Sequence, residues 1–206
     1  AAGANHSIAL KADGTIWAWG YNAHGELGNN GTTNSSLPVQ VLGANGVGVF
    51  NAIVANSQIA SIKIAAGSNH SFALKSDGTV WSWGFNEHGQ LGDGSKTTRT
   101  VPVRVVGLNG VASVVGGGAG HSTSVMADGT LRVWGWNAYQ TLGDGTNTDR
   151  LVPVEVVGRE GDFFSVPRTA ATPDPFHFVG RFGIAPGVQM TSNPIKVSGT
   201  STAASV

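Results

Sequence analysis

Residues 69–103, NHSFALKSDGTVWSWGFNEHGQLGDGSKTTRTVPV, decide the fold, because the chain carries the same text three times. Two short apolar runs flank Asp77-Gly78, and a glycine-rich loop then leads to Val-Pro-Val. His70, Asp77, Gly78, Trp83, Gly84, Asn86, Leu91, Gly92 and Pro102 recur 64 positions earlier, at His6, Asp13, Gly14, Trp19, Gly20, Asn22, Leu27, Gly28 and Pro38. They recur again 51 positions later, at His121, Asp128, Gly129, Trp134, Gly135, Asn137, Leu142, Gly143 and Pro153. Nine positions kept in register across three copies exclude coincidence. A period of roughly 50 residues signals a solenoid, a propeller or an array.

The 206 residues suffice for one or two domains with real cores. Lys and Arg number 12 and Asp and Glu number 12, so the formal net charge is zero and offers no general attraction to nucleic acid. Six Trp argue for a packed chain despite 31 Gly. With no cysteine, disulfides do not staple the fold, and cysteine says nothing of the compartment. No apolar stretch reaches the roughly 20 residues that span a bilayer. The start, AAGANHS, has neither a basic end nor an apolar core, so no signal peptide is expected in it. Sparse charge with abundant Asn, Ser, Thr and Gly leads us to expect an extracellular or cell-surface protein.

The first copy, about 5–43, opens as a hairpin: Ile8 and Leu10, then Ile16, Trp17 and Trp19, with Asp13-Gly14 supplying the positive φ angles of a tight turn. Pro38 restricts the following run to a short or edge strand. Residues 44–61 read as an insertion before the second copy, 62–107, and its apolar members fit a strand pair, a short helix or a contact surface. The third copy, 113–158, departs most. Arg132 replaces Trp17 and Trp81, Tyr139 replaces His24 and His88, and Gln140 replaces Gly25 and Gly89. A side chain at 140 should bar a glycine-only conformation there. Residues 1–158 thus hold three repeats, 159–175 read as a linker, and 176–206 as a short β unit.

The motif H-S-x-A-L-x-x-D-G-T-x-W-x-W-G-x-N-x-x-G-x-L-G with x-P-V-x-V resembles the repeat of the regulator of chromosome condensation family, in a bacterial type. His6 to Val41 and His70 to Val105 match it closely, and His121 to Val156 matches with the departures above. The resemblance implies an all-β fold: a partial β-propeller of three four-stranded blades, where the family usually closes a ring of seven. Residues 172–199 look like the start of a β-sandwich repeat of bacterial surface proteins, so an incomplete sandwich-like unit is expected to follow the blades. Family members include a nucleotide exchange factor for a small GTPase, and secreted bacterial relatives include a β-lactamase inhibitor.

Candidate chemistry is thin. His6, His70 and His121 recur once per repeat, each before a Ser. A metal site near the propeller axis is one reading; a buried imidazole bonded to neighbouring backbone is the other, and recurrence favours it. Asp13, Asp77 and Asp128 stand before Gly14, Gly78 and Gly129 at turns, where Asp is a turn former rather than a general acid. The loops from Asp93 and Asp144 have calcium-like oxygen spacing without the full acidic complement. Trp19, Trp83 and Trp134 hold one strand position and read as packing between sheets rather than as a carbohydrate platform. Tyr21, Phe85 and Trp136, each directly after the glycine that ends that strand, form a candidate partner surface. No nucleophile elbow, phosphate loop or zinc-spaced cluster is present.

Three blades fall short of the 4–8 that cover a propeller's sheet edges. Either the chain is part of a longer protein, or identical chains complete the ring or extend as a fibre. We therefore expect no enzyme, no catalytic or metal residues, no cofactor, no nucleic acid, no small-molecule ligand and no membrane span. The expected role is a non-catalytic protein-interaction or structural module, a subunit of an extracellular self-assembled oligomer or fibre whose partners are copies of itself. A secreted inhibitor or adhesin that grips a foreign protein, and a GTPase nucleotide exchange factor, are the alternatives.

Overall fold

The computed structural model describes residues 1–53 and 62–157. Eleven strands occur among them: β1 His6–Leu10, β2 Ile16–Gly20, β3 Ser35–Gln40, β4 Lys63–Ala66, β5 His70–Leu74, β6 Val80–Gly84, β7 Arg99–Arg104, β8 Val111–Gly117, β9 His121–Met126, β10 Leu131–Gly135 and β11 Arg150–Glu155. They form three antiparallel meanders, ordered β1-β2-β3, β4-β5-β6-β7 and β8-β9-β10-β11. Ala2 adds a bridge to Ser7 at the open side of β1. Pro38, Pro102 and Pro153 each fall in the outer strand of a sheet, where a missing N–H interrupts no ladder.

The hairpins differ from expectation in one respect. At Asp13-Gly14 only the glycine takes a positive φ, 82°. The turn closes by Gly14 N–H to the Lys11 carbonyl (2.9 Å), and Asp13 works through its side chain. Its Oδ1 accepts from the N–H of Thr15 (3.0 Å) and from that residue's hydroxyl (2.6 Å). Asp77 with Thr79 and Asp128 with Thr130 repeat both bonds. The Thr hydroxyl then accepts from the indole N–H of Trp17 and Trp81, both at 3.1 Å. Arg132 occupies the third such position and pairs instead with Glu155 on β11, at 3.2 Å.

No sheet has a core of its own. One apolar cluster joins Ile8, Ile16 and Ala18 of the first sheet, and Leu27 of the loop that follows β2, to Ala73 and Trp83 of the second sheet. The other joins Phe72, Leu74 and Val80 of the second to Val111, Val114 and Trp134 of the third. The cores are the joints between blades. Part of residues 44–61 contributes to the first joint: Phe50 is buried, its ring 5.7 Å from Trp81 and 6.2 Å from Trp83. Before it, Ala44–Gly46 make one 3-10 turn, and Leu42 and Thr15 bridge singly to Val49 and Asn51 in place of a strand pair. Residues 54–61, and the linker and sandwich-like unit expected from 159 onward, lie outside the described residues.

The loop after each central strand is wound around one buried asparagine. Asn86 accepts from Leu91 N–H (2.9 Å) and donates to the carbonyls of Ser95 (3.1 Å) and Thr97 (3.0 Å) and to Asp93 (3.2 Å). Asn22 and Asn137 make the equivalent sets. Asn86→Ala leaves these buried backbone groups without partners, so a urea titration should show a loss of about 3 kcal/mol in unfolding free energy.

Candidate functional site

The recurrent histidines lie at the joints. His6 Nε2 is 2.8 Å from the hydroxyl of Ser71 in the next blade, and His70 Nε2 is 3.2 Å from that of Ser122. The partner is thus a side chain of the following repeat, not neighbouring backbone. Ser71 donates its proton to the carbonyl of Glu26 (3.0 Å), and Ser122 donates to that of Gln90 (2.8 Å). Each serine oxygen is left to accept, so each Nε2 carries the hydrogen. Nδ1 of both rings is then a bare lone pair, and neither has a hydrogen-bond partner. Gly3 and Gly67 lie against the imidazoles of His6 and His70, where a Cβ would collide. Burial holds both imidazoles below their usual pKa, with His70 lowered to about 3. The Glu26 carboxylate partly counters burial at His6, and His6 and His121 add to it at His70. His121 is also lowered by burial, although less enclosed.

The same carbonyls receive the tryptophans. Trp83 Nε1 donates to Glu26 and Trp134 Nε1 to Gln90, both at 2.8 Å, and both indoles are fully buried. Trp19 holds the matching place in the first sheet and is only partly buried. Gly28 and Gly92 let the indoles approach: a Cβ there would lie 2.9 and 2.8 Å from Trp83 and Trp134 Nε1.

The acidic positions are committed to structure. The hydroxyl and N–H of Thr15, with Lys11, hold the Asp13 carboxyl far below the usual carboxylate range, and the N–H and hydroxyl of Thr130 lower that of Asp128. Asp77 is lowered too, its bonds to Thr79 outweighing burial. In the calcium-like loops, Asp93 accepts from Ser95 N–H (3.0 Å), Ser95 Oγ (2.8 Å) and Arg99 Nε (2.9 Å). Asp144 accepts from Thr146 and Arg150 in the same way. A guanidinium therefore already neutralises each carboxylate. Among the described residues, no group of three or more His, Cys, Asp or Glu side chains could hold a metal ion.

Unsatisfied surface remains along the row of aromatic residues. Tyr21, Phe85 and Trp136 are each partly buried. Loop histidines lie against them in two groups. His24 lies 6.0 Å from Tyr21 and 4.8 Å, edge-on, from Phe85; His88 lies 5.4 Å from Trp136, which meets Tyr139 at 5.2 Å. Nδ1 of His24 pairs with the buried Glu26 at 3.1 Å, and that of His88 with Asp149 of the third blade at 3.1 Å. A carboxylate thus holds each loop histidine against the next blade's ring, edge-on at Phe85 and tilted by 35° at Trp136, and the stripe ends at Tyr139, 77 % exposed.

Sequence reasoning passed over Ser71, Ser122, Glu26 and Gln90, which carry the joint. The signal for the serines was present, since Ser follows the histidine in all three copies. Glu26 and Gln90 act through main-chain oxygen and leave no such trace.

Two models of the regulator of chromosome condensation (RCC1) repeat match the chain, one over residues 13–74 and 77–126 and one over 62–90. The ultraviolet-B receptor UVR8 of Arabidopsis thaliana is 33% identical over 166 residues, covering 80% of this chain and 35% of the receptor. The human E3 ubiquitin-protein ligase HERC2 is 31% identical over 156 residues, 75% of this chain and 3% of the ligase. Prp20p of Saccharomyces cerevisiae, studied for its binding to Gsp1p and histones, shares the fold with a TM-score of 0.63 at 24% identity, over 77% of this chain and 38% of that one. Human WBSCR16 follows with a TM-score of 0.60 at 25% identity, over 77% and 37%. The chain therefore spans a little over a third of the receptor and a small fraction of the ligase.

The joint histidines make stability depend on pH. A histidine lowered in the folded state binds its proton only on unfolding, so it costs nothing above about pH 6.5 and destabilises progressively below it. For His70 that loss continues down to about pH 3. Urea midpoints should fall from pH 7 to 4.5, each fully lowered histidine adding a slope of about 1.4 kcal/mol per pH unit. His70→Gln should be less stable at neutral pH yet flatten that slope; an unchanged slope would contradict the assignment.

Proposed function

The chain belongs to the regulator of chromosome condensation (RCC1) repeat family, and from that premise we propose that it works outside the cell as a non-catalytic, self-associating protein-interaction module. The aromatic and imidazole stripe from Tyr21 to Tyr139 is the contact surface. One observation carries this reading. The loop asparagines Asn22, Asn86 and Asn137 and the carboxylates of Asp93 and Asp144 are bonded inside the chain, whereas Tyr21, Phe85 and Trp136 stay partly exposed and Tyr139 is exposed. Rings fixed by neighbours lose little entropy on binding, and aromatic side chains are what interface centres favour.

The partner we favour is a further copy of the chain, building an oligomer or fibre. The support is the ring of Tyr139, 77 % exposed beside Trp136, which a further copy would cover. The extracellular setting is supported by composition alone, poor in charge and rich in Asn, Ser, Thr and Gly. The ligase and receptor names belong to proteins of which this chain spans 3% and 35%, so neither activity is taken over.

Light scattering behind size-exclusion chromatography tests the reading. The mass should rise with concentration above 21.0 kDa. A stable, folded monomer at every concentration would exclude self-association and leave grip on a foreign protein. Acceleration of nucleotide release from a small GTPase would favour exchange instead; none is expected.

A further inference from the structure

We propose that each joint between blades is keyed by a single carboxylate at its loop histidine, and that the blade supplying it decides which neighbours are accepted. The leading blade supplies it at the first joint, through Glu26, and the following blade at the second, through Asp149. Both joints lie inside the described residues, and the key works whether or not the chain self-associates.

The two joints meet one requirement from opposite sides. His24 and His88 hold the same loop position, and each donates its backbone N–H to the side chain two residues on, Glu26 Oε2 or Gln90 Oε1, both at 2.9 Å. At the first joint the other oxygen of the fully buried Glu26, Oε1, lies 3.1 Å from His24 Nδ1. Gln90 is as deeply buried but ends in an amide, and its Nε2 has no hydrogen-bond partner. His88 Nδ1 turns instead to Asp149 Oδ2 of the third blade, also at 3.1 Å. Asp149 is aimed by its own loop, because its Oδ1 accepts the N–H of Asn137 at 2.9 Å. Lys96 of the second blade stands 3.8 Å from the same Oδ2. Thr98 is the second blade's equivalent of Asp149, and Thr32 the first blade's equivalent of Lys96. Glutamate is therefore matched with threonine across the first joint, and glutamine with aspartate across the second. Where the third blade has Tyr139 in place of the histidine, it has Thr141 in place of Glu26 and Gln90. The loop backbone is unchanged there: Gln140 keeps φ 59° beside 82° and 79° for Gly25 and Gly89, which corrects the expectation that a side chain at 140 would bar the glycine conformation.

Blades this alike can dock out of order while the chain folds, and such misassembly is a characteristic fault of repeat proteins. Two carboxylates that each belong 3.1 Å from the same imidazole nitrogen cannot both occupy that place. Were the first blade to skip to the third, Glu26 and Asp149 would contend for His24, with Thr32 standing where Lys96 should be. Were the leading face of the second blade to meet the following face of a second blade from another molecule, His88 and Lys96 would face Thr98 and no carboxylate. The rings of Tyr21 and Phe85 at His24, and of Trp136 at His88, carry no charge that could substitute. A buried charge stripped of its partner is strongly destabilising, so the discrimination lies in the penalty on wrong neighbours rather than in the strength of the right ones.

Urea titration and refolding of the full chain test the key. Glu26→Gln should lower the folding equilibrium constant about tenfold, and Thr98→Asp alone should lower it too, by setting two carboxylates on His24. Combined, they move the carboxylate across the joint and should return the constant to within about threefold of wild type. The first joint then carries the same key as the second, so the first blade no longer rejects the third. On dilution from urea the double variant should give at least about twice the wild-type fraction of slow-folding or dimeric species, read by stopped-flow tryptophan fluorescence and size-exclusion chromatography. A double variant no more stable than the single ones would overturn the key. A restored double variant that refolds as cleanly as wild type would refute selection between blades. Should Glu26→Gln not fold, the second joint serves. Asp149→Asn, which can keep the bond to Asn137 as Asn34 keeps its bond to Asn22, should cost about tenfold. Gln90→Glu in that background should restore stability, and no restoration would overturn the key there.

Discussion

A single backbone carbonyl at each joint, that of Glu26 or Gln90, receives two protons from the next blade, one from a serine hydroxyl and one from an indole. The rest of the molecule depends on that convergence. A meander of three or four short strands buries too little to stand alone, so its apolar side chains become a core only against a neighbour. Trp83 and Trp134 supply the largest part. Burying about 150–250 Å² of indole removes on the order of 4–6 kcal/mol of unfavourable hydration. An indole N–H taken into such a core needs an acceptor, and one carbonyl per joint provides it while fixing the serine that orients the histidine.

This arrangement explains why recurrent ionisable groups do not add up to a reactive site. The histidines are neutral, donating from Nε2, and spend their polarity on register between blades. The carboxylates of Asp93 and Asp144 are neutralised by Arg99 and Arg150. Asn22, Asn86 and Asn137 hold the loop backbones from within. What is left over is apolar and aromatic, and it faces outward in a line. A surface of that kind binds proteins.

The joint has direction. Its leading and following faces carry different groups: a histidine, a carbonyl and a glycine on one side, a serine hydroxyl and an indole N–H on the other. The third blade keeps His121 and Gly143 at the matching positions and departs from the first two at Tyr139 and Gln140.

Much of the fold could be read from the sequence. The three-fold register, the hairpins, the proline-marked edge strands and the aromatic positions after each central strand follow from local chemistry: turn residues, alternation and a missing N–H act over a few residues. The line of Tyr21, Phe85 and Trp136 was legible as a row, but not the histidines that lie against it. The path of Phe50 into the first joint, the donation from His6 to Ser71 across 65 residues, and the shared carbonyls were not legible. Repetition states which residues are equivalent; it does not state which ones touch. Nor could it show that Gln140 keeps a glycine's conformation, since surrounding bonds outweigh a local preference of one or two kcal/mol. The sequence determined the blades, and only tertiary packing decided the joints, because a joint is made of groups that meet solely when two blades are already folded against each other.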